Sequence, residues 1–366
     1  MPKQIIKIRE NFYWVLRKDG IHVEFHLFYF ANLTFVFKNI YSRKKTDMYR
    51  SFMVLVFVLL FSANIFSQDR YSEPWFDEIN TETYTYATKD GEKLDLDVYL
   101  PQNDAEFERA TIIYIHGGGF SEGKRDSEKI KNFCKQMAGY GYVVASVSYR
   151  LTRKGKETAF GCNCPAEDKL NTFISAVQDV QDATFFLIEN REQFGIDPQK
   201  IILAGSSAGA ETALNAAYLP PMCYGLDSGP VSYAGVISMA GAIPDTVVIY
   251  DESAVPTMLF HGTDDNLVPY STAPHRYCKN GDPGYLVLNG SYTIAQKLKQ
   301  LEVPYWLHTT CGAAHEMAEK PITEYFNEIM EFCYVFIIQG EKESRNTIIE
   351  GSQKTDTFKQ FDFCSN

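Results

Sequence analysis

With 366 residues, 45% of them hydrophobic and 22% charged, the chain can hold one large domain or two small ones. The formal net charge of −11 is unevenly placed: residues 1–67 hold ten Lys/Arg and four Asp/Glu, which leaves 25 and 42 in the remainder. A body that acidic repels phosphate, so the composition argues against nucleic-acid binding.

Residues Phe52 to Phe61 are apolar throughout, with Arg50 ahead and Ser62, Ala63, Asn64, Ser67 and Gln68 behind. A positive flank, a short apolar run and a small-residue exit make a secretory signal. The run falls short of the roughly 20 residues that span a bilayer. We therefore expect a signal peptide over 48–68, with Met48 as the true start and residues 1–47 as an over-extended or disordered extension. The rival expectation is a signal anchor over 52–66. Either way the protein is expected to be exported, periplasmic or secreted, and to touch a membrane only through an uncleaved leader. All eight cysteines follow the leader, and an even count in an exported chain suggests disulfides. Their connectivity stays open. Cys162 and Cys164 lack a second Cys/His pair at zinc-like spacing, so no metal is expected.

Past a polar stretch at 71–80, alternating segments Thr83–Tyr86 and Leu94–Leu100 predict half-buried, antiparallel strands. Thr111–Ile115 and Tyr142–Tyr149 are continuously apolar, as buried parallel strands are. Ser127–Tyr140 predicts a helix ended by Gly141. In the long helix predicted for Asp168–Arg191, Ala176, Val180, Ala183 and Leu187 mark the core face. A strand at Lys200–Ala204 leads into a helix at Ala208–Tyr218. Strands follow at Val236–Met239, Thr257–Phe260 and Tyr305–His308, with helices at Tyr292–Leu301 and Ile322–Ile338. Such alternation predicts an α/β fold: a mostly parallel sheet with helices on both faces, forming one domain over 83–338. Residues 341–366 read as a polar, loosely held tail. The long connections 219–233 and 266–291 fall beyond the strands' carboxyl ends, where such sheets bind ligands.

Four motifs carry chemistry. Gly205-Ser206-Ser207-Ala208-Gly209 fits G-x-S-x-G between a strand and a helix, which makes Ser207 the candidate nucleophile and Ser206 its rival. His116-Gly117-Gly118-Gly119-Phe120 follows a buried strand, and its glycines let backbone N–H groups approach a ligand closely. Gly118, Gly119 and Ala208 are the candidate oxyanion donors, with His116 a loop brace. In His261-Gly262-Thr263-Asp264-Asp265, Asp265 is the candidate orienting acid, Asp264 its competitor and His261 structural. His315, after the last strand, is the candidate base. His275, in the long connection, reads as a surface residue, with contact to substrate the alternative; Glu211, one helical turn after Ser207, reads as a structural carboxylate, with tuning of the site the alternative. Arg150 with Asp179 or Asp182 reads as a buried structural pair.

These motifs resemble those of α/β-hydrolases, and are most similar to hormone-sensitive-lipase-like and feruloyl/acetyl-xylan-esterase-like carboxylesterases, which share the HGGGF loop and the Ser-Asp-His order. The resemblance covers about 83–338. It implies a serine carboxylic-ester hydrolase acting through an acyl-enzyme on short-chain, acetyl or aryl (feruloyl-like) esters, free or linked to polysaccharide, without cofactor or metal. Two departures count. Too few residues separate the leader from the first strand for a large helical cap, so an open pocket is expected. Ser206 also stands where Asp or Glu is frequent. The alternatives are an exported serine peptidase of the prolyl-peptidase type, disfavoured because Ala208 replaces the usual Tyr, and a non-catalytic binding protein on the same scaffold.

Overall fold

The computed structural model describes residues 70–220, 223, 231–350 and 364, together with the backbone of three short strands in residues 7–26. These strands, β1 (Lys7–Ile8), β2 (Asn11–Lys18) and β3 (Ile21–His26), pair antiparallel within a unit of their own, residues 1–67. The leader expected over 48–68, and the rival anchor over 52–66, lie outside the described residues. Among the described residues no helix is long and apolar enough to cross a membrane.

The second unit is built on a nine-stranded sheet. β4 (Ile79–Lys89) and β5 (Glu92–Pro101) form an antiparallel hairpin at one edge, and β5 pairs antiparallel with β7 (Val143–Val147). From β7 onward every pairing is parallel, through β6 (Arg109–Ile115), β8 (Ile196–Ser206), β9 (Gly235–Met239), β11 (Thr257–Gly262) and β14 (Tyr305–Cys311). A separate three-stranded sheet, β10 (Ala242–Ile243), β13 (Val287–Gly290) and β12 (Thr272–Pro274), folds up much of the long 266–291 connection.

The central strands are apolar on both sides because both sides are covered. Successive side chains point to opposite faces. Ile113, Ile115, Val143, Ala145 and Leu203 join one core with α2 (Ala166–Glu189), α3 (Ala208–Tyr218) and α4 (Ser291–Gln300). Ile112, Tyr114, Val144, Ala204 and Phe260 join the other, beneath α1 (Glu128–Gly139) and the C-terminal helices. The predicted face of α2, namely Ala176, Val180, Ala183 and Leu187, is wholly buried in the first core. Arg150 does pair with buried Asp179, through Nε at 3.0 Å and a backbone N–H bond at 2.8 Å, while Asp182 and Asp179 share Lys89. No helical cap precedes the sheet among the described residues, since 70–78 contain only turns and bends.

Two expectations are corrected. The single helix expected over Ile322–Ile338 is broken into α5 (Pro321–Glu324), α6 (Phe326–Phe332) and a π-helical turn, Cys333–Ile338. Tyr325, at φ −121° and ψ 32°, leaves helical geometry between the first two. The polar tail expected over 341–366 contains a strand, β15 (Arg345–Glu350), which extends the sheet in parallel beyond β14. Its side chains alternate between half-buried and exposed, as on an edge. Arg345 lies 4.9 Å from the Trp306 ring, Trp306 Nε1 donates to Thr347 Oγ1 at 2.9 Å, and Cys364 is bonded to Cys311.

Candidate active site

Ser207 sits between β8 and α3 with φ 51° and ψ −119°, a left-handed backbone that costs a non-glycine residue on the order of 1–3 kcal/mol. The turn is held by the Ser207 N–H on the Met239 carbonyl at 2.8 Å and by the Glu211 N–H on the Ser207 carbonyl at 2.9 Å. Glycine is required on both sides. A Cβ on Gly205 would lie 2.1 Å from the Gly209 carbonyl oxygen, and one on Gly209 would lie 2.1 Å from that of Ile115. The start of α3 is thereby pressed against the end of β6, and Ser207 stands above the sheet at the helix N-terminus, where unpaired N–H groups favour an anion.

The structure brings the three distant residues together. Ser207 Oγ donates to His315 Nε2 at 2.7 Å, and His315 Nδ1 donates to Asp265 Oδ2 at 2.7 Å. Ser206, the rival, is nearly buried and turned toward Tyr114. Asp265 rather than Asp264 faces the imidazole. Its Oδ1 accepts the Leu267 and Val268 N–H groups at 2.8 and 3.0 Å, while Asp264 Oδ1 accepts the Thr263 hydroxyl. Burial alone would push the pKa of Asp265 up, but hydrogen bonds from His261 and His315 outweigh it and hold the carboxyl well below the ordinary range.

His261 has more to do than end a strand. It is fully buried, its Nδ1 meets the Ser291 hydroxyl at 2.8 Å, and its Nε2 meets the Val268 carbonyl at 3.1 Å and Asp265 Oδ2 at 3.3 Å. Nε2 therefore carries the proton, since both of its partners are acceptors, and Ser291 donates to Nδ1. The acid is thus braced from both ends.

The glycine loop lies beside Ser207. A Cβ on Gly117 would fall 2.9 Å from the Ser206 carbonyl oxygen and 3.3 Å from Ser207 Cβ. Gly118 and Gly119 take φ 121° and 58°, and among the described residues their N–H groups donate to no protein acceptor. His116 braces the loop as expected: its Nδ1 bonds the Gly117 carbonyl at 2.8 Å, its ring stacks on Tyr149 at 4.6 Å, and burial lowers its basicity. Gly123 escaped the sequence reading, yet a Cβ there would strike the Gly117 oxygen at 2.2 Å.

A cleft of about 1040 Å³ contains Ser207, His315 and the glycine loop. Its wall includes Leu267, Val268, His275 and Arg276 from the 266–291 connection, as the strand order predicts. Most of the other long connection, 219–233, lies outside the described residues. His275 is corrected from a surface residue to one that is 1% exposed, 4.0 Å from Glu211. Glu211 is itself buried, and burial raises its carboxyl to about 8. Sequence reading missed Arg276 and Lys169, which sit in a long loop and on an otherwise ordinary helix. Four cysteines form two disulfides, Cys162–Cys278 at the cleft wall and Cys311–Cys364. The first joins two of the three residues in the one Cys/His/Asp/Glu cluster of metal-binding spacing among the described residues, so both sulfurs are already spent.

A family model described as BD-FAE matches residues 96–223. Ethyl acetate hydrolase of Pseudomonas putida is 32% identical over 129 residues, 35% of each chain. Human arylacetamide deacetylase-like 2 is 31% identical over 155 residues, 42% of this chain and 34% of its own. The chain thus spans about a third of the length of these curated relatives. Among solved structures, esterase 2 of Thermogutta terrifontis, phosphorylated by paraoxon, superposes with a TM-score of 0.53 at 20% identity, over 70% of this chain and 94% of its own. A propionate-bound form of that esterase gives 0.51 at 20% identity, over 71% and 94%. Sheet order, strand directions and the Ser207 turn, together with these similarities, give the chain an α/β-hydrolase fold.

Proposed function

We propose that this protein is a serine carboxylesterase working through a covalent acyl-enzyme, and that Ser207, His315 and Asp265 are its catalytic residues. The observation that carries this reading is the unbroken line of two 2.7 Å hydrogen bonds from the Ser207 hydroxyl through His315 to Asp265. His315 Nε2 takes the Ser207 proton as Oγ attacks the ester carbonyl. The oxyanion is held by the N–H groups of Gly118, Gly119 and Ala208, each worth roughly 10²–10³ in rate in comparable sites. His315 then returns the proton to the departing alcohol, and a water repeats the sequence to release the acid. Asp265 stays ionised throughout and stabilises the imidazolium.

The relatives, an ethyl acetate hydrolase and an arylacetamide deacetylase-like protein, support small acyl groups. The open cleft leaves room for bulky alcohols or aryl acids of the feruloyl kind. Two disulfides suit an exported protein, which fits the leader read at 48–68. The test is hydrolysis of 4-nitrophenyl acetate by wild type and Ser207→Ala. A loss of at least about 10³-fold, with labelling of the wild type alone by a fluorophosphonate, is expected. Equal turnover by both would defeat the reading.

A further inference from the structure

Arg276 stands in the wall of the cleft that holds Ser207 and His315. It lies in the turn after β12, and both it and Tyr277 adopt left-handed backbones, at φ 54° and 52°. The Arg276 N–H bonds the Leu267 carbonyl at 3.1 Å, and Cys278, two residues on, is tied across the cleft wall to Cys162. An unfavourable conformation at two successive non-glycine residues, stapled in place, fixes where this side chain emerges.

Among the described residues the guanidinium has no counter-ion. Its Nε is sealed from solvent without an acceptor, and among the described residues no carboxylate lies in ion-pair contact with it. The cleft's lysines differ: Lys124 faces Asp126 at 3.7 Å, Lys129 faces Glu319 at 2.8 Å and Lys320 faces Glu324 at 3.7 Å. Glu211 lies within electrostatic reach of Arg276, but burial keeps it protonated near neutral pH. Among the described residues its Oε1 has no hydrogen-bond partner, and neither does His275 Nδ1. Buried Lys169, whose Nζ donates to the Gly284 carbonyl at 2.7 Å, adds a second positive charge nearby. Unsatisfied buried polar groups are costly, and a guanidinium is shaped to grip a carboxylate through two parallel bonds.

We propose that Arg276 binds a carboxylate carried by the substrate, so that the preferred esters are anionic. This rests on the esterase reading above and adds the class of ester to it. The carboxylate could lie on the acid side or on the alcohol side of the scissile bond, and the experiment separates them. One pair of substrates is mono-4-nitrophenyl adipate against its methyl ester; the other is 4-acetoxybenzoate against methyl 4-acetoxybenzoate. Each pair yields a ratio of kcat/KM, anionic over neutral. For wild type we expect a ratio of about 10 to 100 in one pair, the size of a charge-assisted contact. It should fall toward one in Arg276→Gln and be partly kept in Arg276→Lys. Wild-type ratios near one in both pairs would overturn the inference, with no variant needed. An unchanged ratio in Arg276→Gln would also overturn it. If wild type turned over none of the four esters, the esterase reading would fail and take this inference with it.

Discussion

Asp265→Asn is the sharpest probe of the proposed triad, because the surrounding bonds dictate how the new amide must sit. Oδ1 accepts two backbone N–H groups, from Leu267 and Val268, at 2.8 and 3.0 Å. An asparagine keeps its oxygen there, since the flipped amide would set an NH2 against two donors. Its Nδ2 then faces His315 Nδ1, 2.7 Å from the present Oδ2, and His261 Nε2 at 3.3 Å. Donor meets donor. His315 resolves the clash by moving its proton to Nε2, which leaves an N–H instead of a lone pair pointing at the Ser207 hydroxyl. A base in the wrong tautomer loses about 10⁴ in kcat, or about 5.5 kcal/mol of barrier. KM for a neutral ester should barely move, because Asp265 does not line the cleft. Steady-state hydrolysis of 4-nitrophenyl acetate, with a thermal melt to show that the variant is folded, measures the effect. Asp264→Asn is the control, because Asp264 bonds the Thr263 hydroxyl and not the histidine. A folded Asp265→Asn enzyme keeping a tenth of wild-type kcat would refute the tautomer argument. So would an Asp264→Asn enzyme that was equally impaired.

Three further outcomes follow from the same geometry. Gly209→Ala sets a methyl 2.1 Å from the Ile115 carbonyl oxygen and 2.6 Å from that of His116, so α3 must back away from β6 and carry Ser207 with it. Activity should drop by about 10²-fold or more while the far-ultraviolet circular dichroism persists; full activity would show that the close contact is dispensable. Glu211 holds its proton to about 8 in the fold, whereas an unfolded chain releases it near 4.5. Stability should therefore decline as pH rises from about 4.5 to 8 and level off above, at up to about 1.4 kcal/mol per pH unit. Glu211→Gln should flatten that decline, and an unchanged denaturation profile across this window would contradict the buried-acid account. Finally, Cys162 and Cys278 are 116 positions apart, so replacing both with serine should cost roughly 2–4 kcal/mol, read from urea midpoints. A midpoint equal to wild type would mean that the staple constrains little.

Much of the site was legible because its chemistry forces local sequence. A nucleophile turn pressed against a neighbouring strand admits only glycine at 205 and 209, and a loop passing within contact of Ser207 admits only glycine at 117. Those constraints leave a written mark. The choice of Asp265 over Asp264 was harder, since both follow the same strand. What favours Asp265 in the proposed triad is which carboxylate receives the N–H groups of Leu267 and Val268 and faces His315, a matter of turn geometry. Polarity misled at His275, where a histidine in a long polar connection looks exposed until that connection folds up around the β12–β13 pair and buries it. It misled again at Arg345–Glu350. An edge strand shields only one side of itself, so its alternating half-buried and exposed residues resemble a tail. Apolar spacing erred in the opposite direction over 322–338, where a continuous periodic pattern hides the break at Tyr325. Arg276 left no signal of any kind, because an arginine in a loop reads as a solvated charge. Only the absence of a counter-ion among the described residues sets it apart from Lys124, Lys129 and Lys320. The proposed reaction type rests on residues that must be small or reactive, whereas the proposed choice of substrate rests on a charge left unpaired among the described residues.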